Sequence, residues 1–182
     1  LYLFLVPAVG MRLWADERRT GTVELLLTLP VPIWATVLGK FLAAWAFCGV
    51  ALLLTFPIWI TVNYLGDPDN GAILAAYFGS FLMAGGFLAI GSFVSSLTRS
   101  QVIAFVISVV ICFAFLIAGY PAVINVFSSW APQWLVDAIA RFSFLTNFDL
   151  ISRGVVALRD LVFFITLIAL CLYATVVALE VK

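Results

Sequence analysis

Apolar residues fill this chain in long runs, broken at a few places by short polar clusters. The runs show neither the polar stripe of a soluble helix nor the two-residue alternation of a half-buried strand. A helix apolar on every side belongs in lipid or deep in a core, and a membrane span needs roughly 20 such residues. The pattern predicts an all-α bundle with spans at 33–64, 72–97, 102–119 and 160–180. Leu1 to Gly10 is too short to cross, so residues 1–11 read as the end of a truncated span. The expectation is one more full span upstream, six in all, with both ends in the cytoplasm.

Between the spans, the breaks differ in character. Pro57 is expected to kink the first full span near its far end. Asn63 to Gly71 is a tight polar turn with two acids, and Thr98 to Gln101 is a short turn. Residues 120–159, with Pro121, Pro132, Trp130 and Trp134, are too polar to span and too apolar for a free loop. They read as outer interfacial helices, with re-entry left open and the tryptophans at headgroup level. The span at 72–97 carries Gly79, Ser80, Ala84, Gly85, Gly86, Ala89, Gly91 and Ser92. Small residues let membrane helices approach closely, and packing is favoured over a substrate lining.

The largest polar break is residues 12–32. Asp16, Glu17, Arg18, Arg19 and Glu24 put five charges within nine residues. Leu13 to Arg19 forms one or two helical turns, with Arg18 and Arg19 at the end the helix dipole makes favourable for cations. Gly21 suits the left-handed residue that ends such a helix. Thr22 can cap a second short helix, with Glu24 in its first turn, and Pro30 and Pro32 stop it. Two short helices hinged at Thr20-Gly21-Thr22 and lying along the membrane surface are expected.

Composition agrees with a membrane chain. The 182 residues are 65% hydrophobic and 10% charged, with a mean hydropathy of +1.23, against about 25% charged in soluble domains. All 182 residues read as one permease-like unit. The net charge is zero and no basic tract exists, so nucleic acid is not an expected partner. With no His, the commonest metal ligand and acid–base group is missing. Cys48, Cys112 and Cys171 lie in apolar runs and read as packing residues. No catalytic, cofactor-binding or metal-binding residue is expected.

Lys and Arg set the orientation. Arg12, Arg18, Arg19, Lys40, Arg99 and Lys182 fall on one side, which is then cytoplasmic. Arg141, Arg153 and Arg159 fall on the other, where Asp137, Asp149 and Asp160 are near enough in sequence to pair with them. No charge lies at the middle of a span, which counts against a proton- or sodium-coupled carrier. The phosphate-binding loop G-x-x-x-x-G-K-[ST] is absent, since Gly39-Lys40 is followed by Phe41 and position 34 is Trp.

The string ERRTGTVELLLTLPV, after a span ending LFLVPAVGMRLWAD, resembles the cytoplasmic coupling segment of type-2 ATP-binding-cassette (ABC-2 type) transporter permeases. SFVSSLTRSQVIAF fits as well, and the subgroup most resembled is the gliding-motility-associated permeases. The resemblance covers essentially the whole chain, except that such permeases have a span and an external loop before this point. It implies a non-enzymatic membrane subunit of an exporter in the bacterial inner membrane. ATP and Mg²⁺ would be bound by a separate ATPase subunit, and a second permease copy, identical or different, would pack alongside in the lipid. It makes Asp16, Glu17, Arg18, Arg19, Gly21, Thr22 and Glu24 the ATPase-coupling segment. Charge alone favours a solvated flank there, and the resemblance reverses that preference. Asp137, Arg141, Asp149 and Arg153 are candidates for the outer mouth, against ordinary interfacial ion pairs. A mechanotransmitting subunit that moves no substrate is the alternative function.

Overall fold

The computed structural model describes residues 2–22, 31–118, 120, 123, 144 and 158–180. Among them the chain is helical throughout its regular structure: α1 (Tyr2–Gly10), α2 (Arg12–Thr20), α3 (Ile33–Leu53), α4 (Phe56–Leu65), α5 (Asn70–Leu97), α6 (Gln101–Ile117) and α7 (Leu158–Glu180). Three stretches are long and apolar enough to cross a membrane: Ile33–Leu65, Asn70–Leu97 and Asp160–Glu180. Gln101–Ile117 is a shorter apolar helix.

α5 is the axis of the bundle, packing against α1, α2, α3, α6 and α7. Its small residues make that possible. A Cβ on Gly10 would stand 3.1 Å from the Gly91 Cα, so α1 and α5 cross backbone on backbone. A Cβ on Gly85 would meet the Trp45 indole nitrogen at 2.9 Å. That indole stacks on Phe81, with centroids 4.5 Å apart, and donates to the Phe81 carbonyl at 2.9 Å. The small-residue stretch of this span therefore serves packing.

The expected span at 33–64 is not one continuous helix. It breaks at Leu54 and Thr55, just before Pro57 rather than at it. Proline lacks an N–H and its ring excludes the carbonyl four residues back, here that of Leu53. Thr55 turns the chain instead, its hydroxyl donating to the Leu52 carbonyl at 2.6 Å. No residue of α4 is buried. At 1.5 Å per residue, the 33 residues reach ~50 Å, beyond the ~30 Å hydrocarbon core.

Phe144 is fully buried within an aromatic cluster of Phe87, Phe115, Phe163 and Phe164. A Cβ on Gly86 would meet its ring at 2.8 Å, which puts Phe144 beside the middle of α5. Asp160 is buried at the start of α7, where an acid suits the helix dipole. Elsewhere large apolar side chains face outward along α3, α4, α6 and α7. In water so large a patch would drive association; in a membrane, lipid and neighbouring spans solvate it.

Candidate functional site

α2 is the charged helix of the bundle, and its sequence explains its ends. Arg18 and Arg19 occupy its last turn, and Gly21 follows with φ 75, the left-handed conformation. Met11 sits at the N-cap position without a side-chain cap. The first N–H groups of a helix have no partner within it, and in α2 a distant residue supplies one. Ser95 of α5 accepts from the N–H of Trp14 at 3.1 Å and of Ala15 at 2.9 Å. The same hydroxyl donates to the Met11 carbonyl at 2.8 Å. One turn away, Ser92 accepts from the Trp14 indole at 3.2 Å. Trp14 and Ala15 are consequently buried.

Three further contacts fix α2 to other helices. Lys40 of α3 pairs with Glu17, donates to the Leu13 carbonyl at 3.2 Å, and lies 4.1 Å from the Trp14 ring centroid. Gln101, the first residue of α6, donates to Asp16. Arg18 donates to the Ala178 carbonyl of α7 at 3.1 Å. The helix expected to lie along the membrane surface thus has one face buried against the ends of four helices.

The candidate residues divide accordingly. Asp16, Glu17 and Arg18 point into the bundle's end and are half-buried. Arg19 is exposed, and its 3.9 Å contact with Asp16 is a surface pair that contributes little. Gly21 and Thr22 are exposed. The Thr22 hydroxyl turns back to the Glu17 carbonyl at 3.4 Å and exchanges a hydrogen bond with Thr20 at 3.0 Å. Glu24 lies outside the described residues, as do Asp137, Arg141, Asp149 and Arg153.

The sequence does not mark Trp14, Ser95 or Gln101 as site residues, and it marks Ser92 only as a small packing residue. Lys40, which the sequence offers only as one of the basic residues on the cytoplasmic side, turns its ammonium toward α2. One signal was present: Ser92, Ser95 and Ser96 recur at helical spacing, which puts polar groups on one face of an apolar helix.

Hydrogen bonds and an ion pair thus join α2 to α3, α5, α6 and α7. The model for a family described as ABC-2 family transporter protein matches residues 4–181. The chain belongs to the ABC-2 transporter family. It is therefore a multi-pass membrane component of a transporter, and the matched region is a membrane domain without an ATPase domain. ABC-2 membership implies an ATPase partner. No curated protein matches the sequence. Among the described residues of this ABC-2 protein, no group of His, Cys, Asp and Glu is placed to hold a metal ion.

Proposed function

We propose that this ABC-2 protein is the membrane subunit of an exporter, and that α2 with the turn at Gly21 is where a separate ATPase subunit docks. The observation that supports this most is the fourfold attachment of α2 through Lys40, Ser95, Gln101 and Arg18. A merely solvated flank has no use for so many anchors. Arg19, Thr20, Gly21 and Thr22 form its exposed flank, the part a soluble partner reaches first. The ATPase binds ATP with Mg²⁺, closes, and pushes α2; the spans then rock as α2 carries their ends with it.

The remaining features follow from this reading. The α2 end is cytoplasmic, as its basic residues favour, and the membrane is the bacterial inner membrane. A second permease copy covers part of the outward-facing apolar surface. Glu24 continues the dock beyond Thr22, and Asp137, Arg141, Asp149 and Arg153 belong to the outer mouth. Within the family, the gliding-motility-associated permeases remain the subgroup the coupling segment most resembles.

Co-purification with a candidate ATPase subunit tests the dock. Glu24→Lys should lower the yield of complex and the coupled ATP hydrolysis while leaving membrane insertion intact. Charges lost from an interface rim mainly slow association, whereas one partner lost from a buried pair costs about 2–5 kcal/mol. Wild-type yield and wild-type coupled hydrolysis in this variant would reduce the segment to a solvated flank.

A further inference from the structure

Arg18 is held at the C-terminal end of α7. Its Nη2 donates to the carbonyl of Ala178 at 3.1 Å, one of the last carbonyls of that helix, which have no partner within it. The Nε of the same guanidinium is shielded from solvent and has no acceptor. Arg99 is exposed in the turn between α5 and α6. The Gln101–Asp16 hydrogen bond ties that turn to α2, two residues from each arginine. Burial, and then the charge of Arg99, draw the Arg18 guanidinium below the ordinary arginine value. Arg18 and Arg99 thus stand on the two elements that this hydrogen bond joins. Among the described residues neither forms an ion pair with a carboxylate: Asp16 faces Arg19, and Glu17 faces Lys40. Glu180, exposed at the end of α7, is the nearest further acid along that helix.

An apolar groove begins at the same point. It lies between α5 and α7, holds about 480 Å³, and is lined by Phe93, Leu170, Tyr173, Ala174, Val177 and Ala178. Leu170 and Tyr173 are 66% and 72% exposed on its outer wall. From Leu170 to Ala178 the groove follows α7 for ~12 Å. A hydrocarbon-sized trough thus ends at Ala178, whose carbonyl Arg18 holds.

We propose that an anionic phospholipid of the leaflet at the α2 end occupies this surface, its phosphate between Arg18 and Arg99 and one acyl chain in the groove between α5 and α7. Charge complementarity selects an anion, and the contiguous trough selects an amphiphile over a soluble ion. The lipid phosphate supplies acceptors to a guanidinium that already holds the end of α7. Anionic lipid therefore strengthens the attachment between α2 and α7, one of the four anchors described above.

The test uses the full-length protein purified in detergent, with retained lipid read by native mass spectrometry. Phosphatidylglycerol and phosphatidylcholine of the same acyl chains are offered together, with and without inorganic phosphate. Phosphatidylglycerol should be retained preferentially, and Arg99→Gln should lower that preference about fivefold, the effect of one cation near a membrane surface. Arg99→Lys should keep most of it. Ala174→Phe, which fills the groove, should reduce phosphatidylglycerol retention. The wild-type preference should also shrink as salt screens the charges. Equal retention of the two lipids, an unchanged preference in Arg99→Gln, or insensitivity to salt would overturn the proposal. Full displacement of phosphatidylglycerol by inorganic phosphate would also overturn it, since the site would then take a soluble anion.

Discussion

The hydroxyl of Ser95 accepts a hydrogen bond from the backbone N–H of Ala15 at 2.9 Å, across 80 residues of sequence. It thereby caps a helix to which it does not belong. Ser95→Ala would leave the Trp14 and Ala15 N–H groups buried without an acceptor, and an unsatisfied buried donor costs about 1–3 kcal/mol. The expected outcome is a lower melting temperature in detergent and faster hydrogen exchange at the start of α2. Wild-type exchange at Trp14 and Ala15 would show that Ser95 is not their partner.

Lys40 makes a second attachment that can be probed separately. Lys40→Met removes the ion pair to Glu17, the bond to Leu13 and the contact with the Trp14 ring. The pair is about a quarter exposed on each side, 24% and 28%. Its loss should therefore fall between the about 1 kcal/mol of a surface pair and the about 3 kcal/mol of a buried pair broken on one side. Lys40→Arg should recover part of it, and a thermal melt of the three proteins reads the difference. A neutral Lys40→Met would mean that Lys40 is solvated, as expected of an ordinary span-end lysine.

The crossing of α1 and α5 leaves no space for a side chain. In Gly91→Val the new Cβ would face Gly10 Cα at 3.3 Å, and the obstacle is backbone, which cannot rotate away. Overpacking of this kind costs about 1–3 kcal/mol or more. A reduced yield of folded protein on size exclusion is expected, whereas Gly39→Ala, where a Cβ meets nothing within 4 Å, should leave yield unchanged. Normal yield in Gly91→Val would contradict the close crossing.

What the sequence reveals here follows from the solvent. Lipid forces each span to be apolar throughout, so α3, α5 and α7 are visible as runs, and close helix crossings force Gly10 and Gly91 to stay small. The attachments of α2 are less visible because each is a pair distant in sequence. Trp14 and Lys40 carry no mark of each other in the sequence, and only the folded chain brings the Lys40 ammonium within 4.1 Å of the Trp14 ring centroid. Ser92 reads from the sequence as a small packing residue, yet its hydroxyl and that of Ser95 hold α2. Pro57 marks the interruption of the long span, and the helix before it ends at Leu53 because the carbonyl that proline excludes lies four residues earlier. Phe144, in a stretch dominated by Pro and Trp, gives no sign of where it packs until Gly86 is beside it.

Orientation has its own measurement. Arg12, Arg18, Arg19, Lys40 and Arg99 cluster at the α2 end, and the turn between α4 and α5 carries Asp67 and Asp69 without a base. A cysteine placed at Asp67, which is exposed, should react in intact cells with a membrane-impermeant thiol reagent. One at Ser100 should react only after the membrane is opened. The reverse labelling would invert the topology and move the proposed dock to the wrong side for a cytoplasmic ATPase.

Gly21 ends α2 and sets the direction of the chain that follows the proposed dock. It is the one described residue with positive φ, at 75, and a Cβ added there would meet nothing within 4 Å. Any cost of substitution is therefore conformational rather than steric crowding. For an L-residue, the left-handed region costs about 1–2 kcal/mol, more for a β-branched side chain, and little for Asn. Since the Ser95, Lys40 and Arg18 attachments all lie before Gly21, substitutions there should spare the bundle. Gly21→Val should melt within a few degrees of wild type yet lose coupled ATP hydrolysis, because the chain leaves α2 in the wrong direction and the docking surface is misaligned. Gly21→Asn should retain most of the activity. A Gly21→Val protein with wild-type coupled hydrolysis would show that the left-handed turn has no part in force transmission. A Gly21→Val protein that fails to insert would show instead that the turn is needed to assemble the spans.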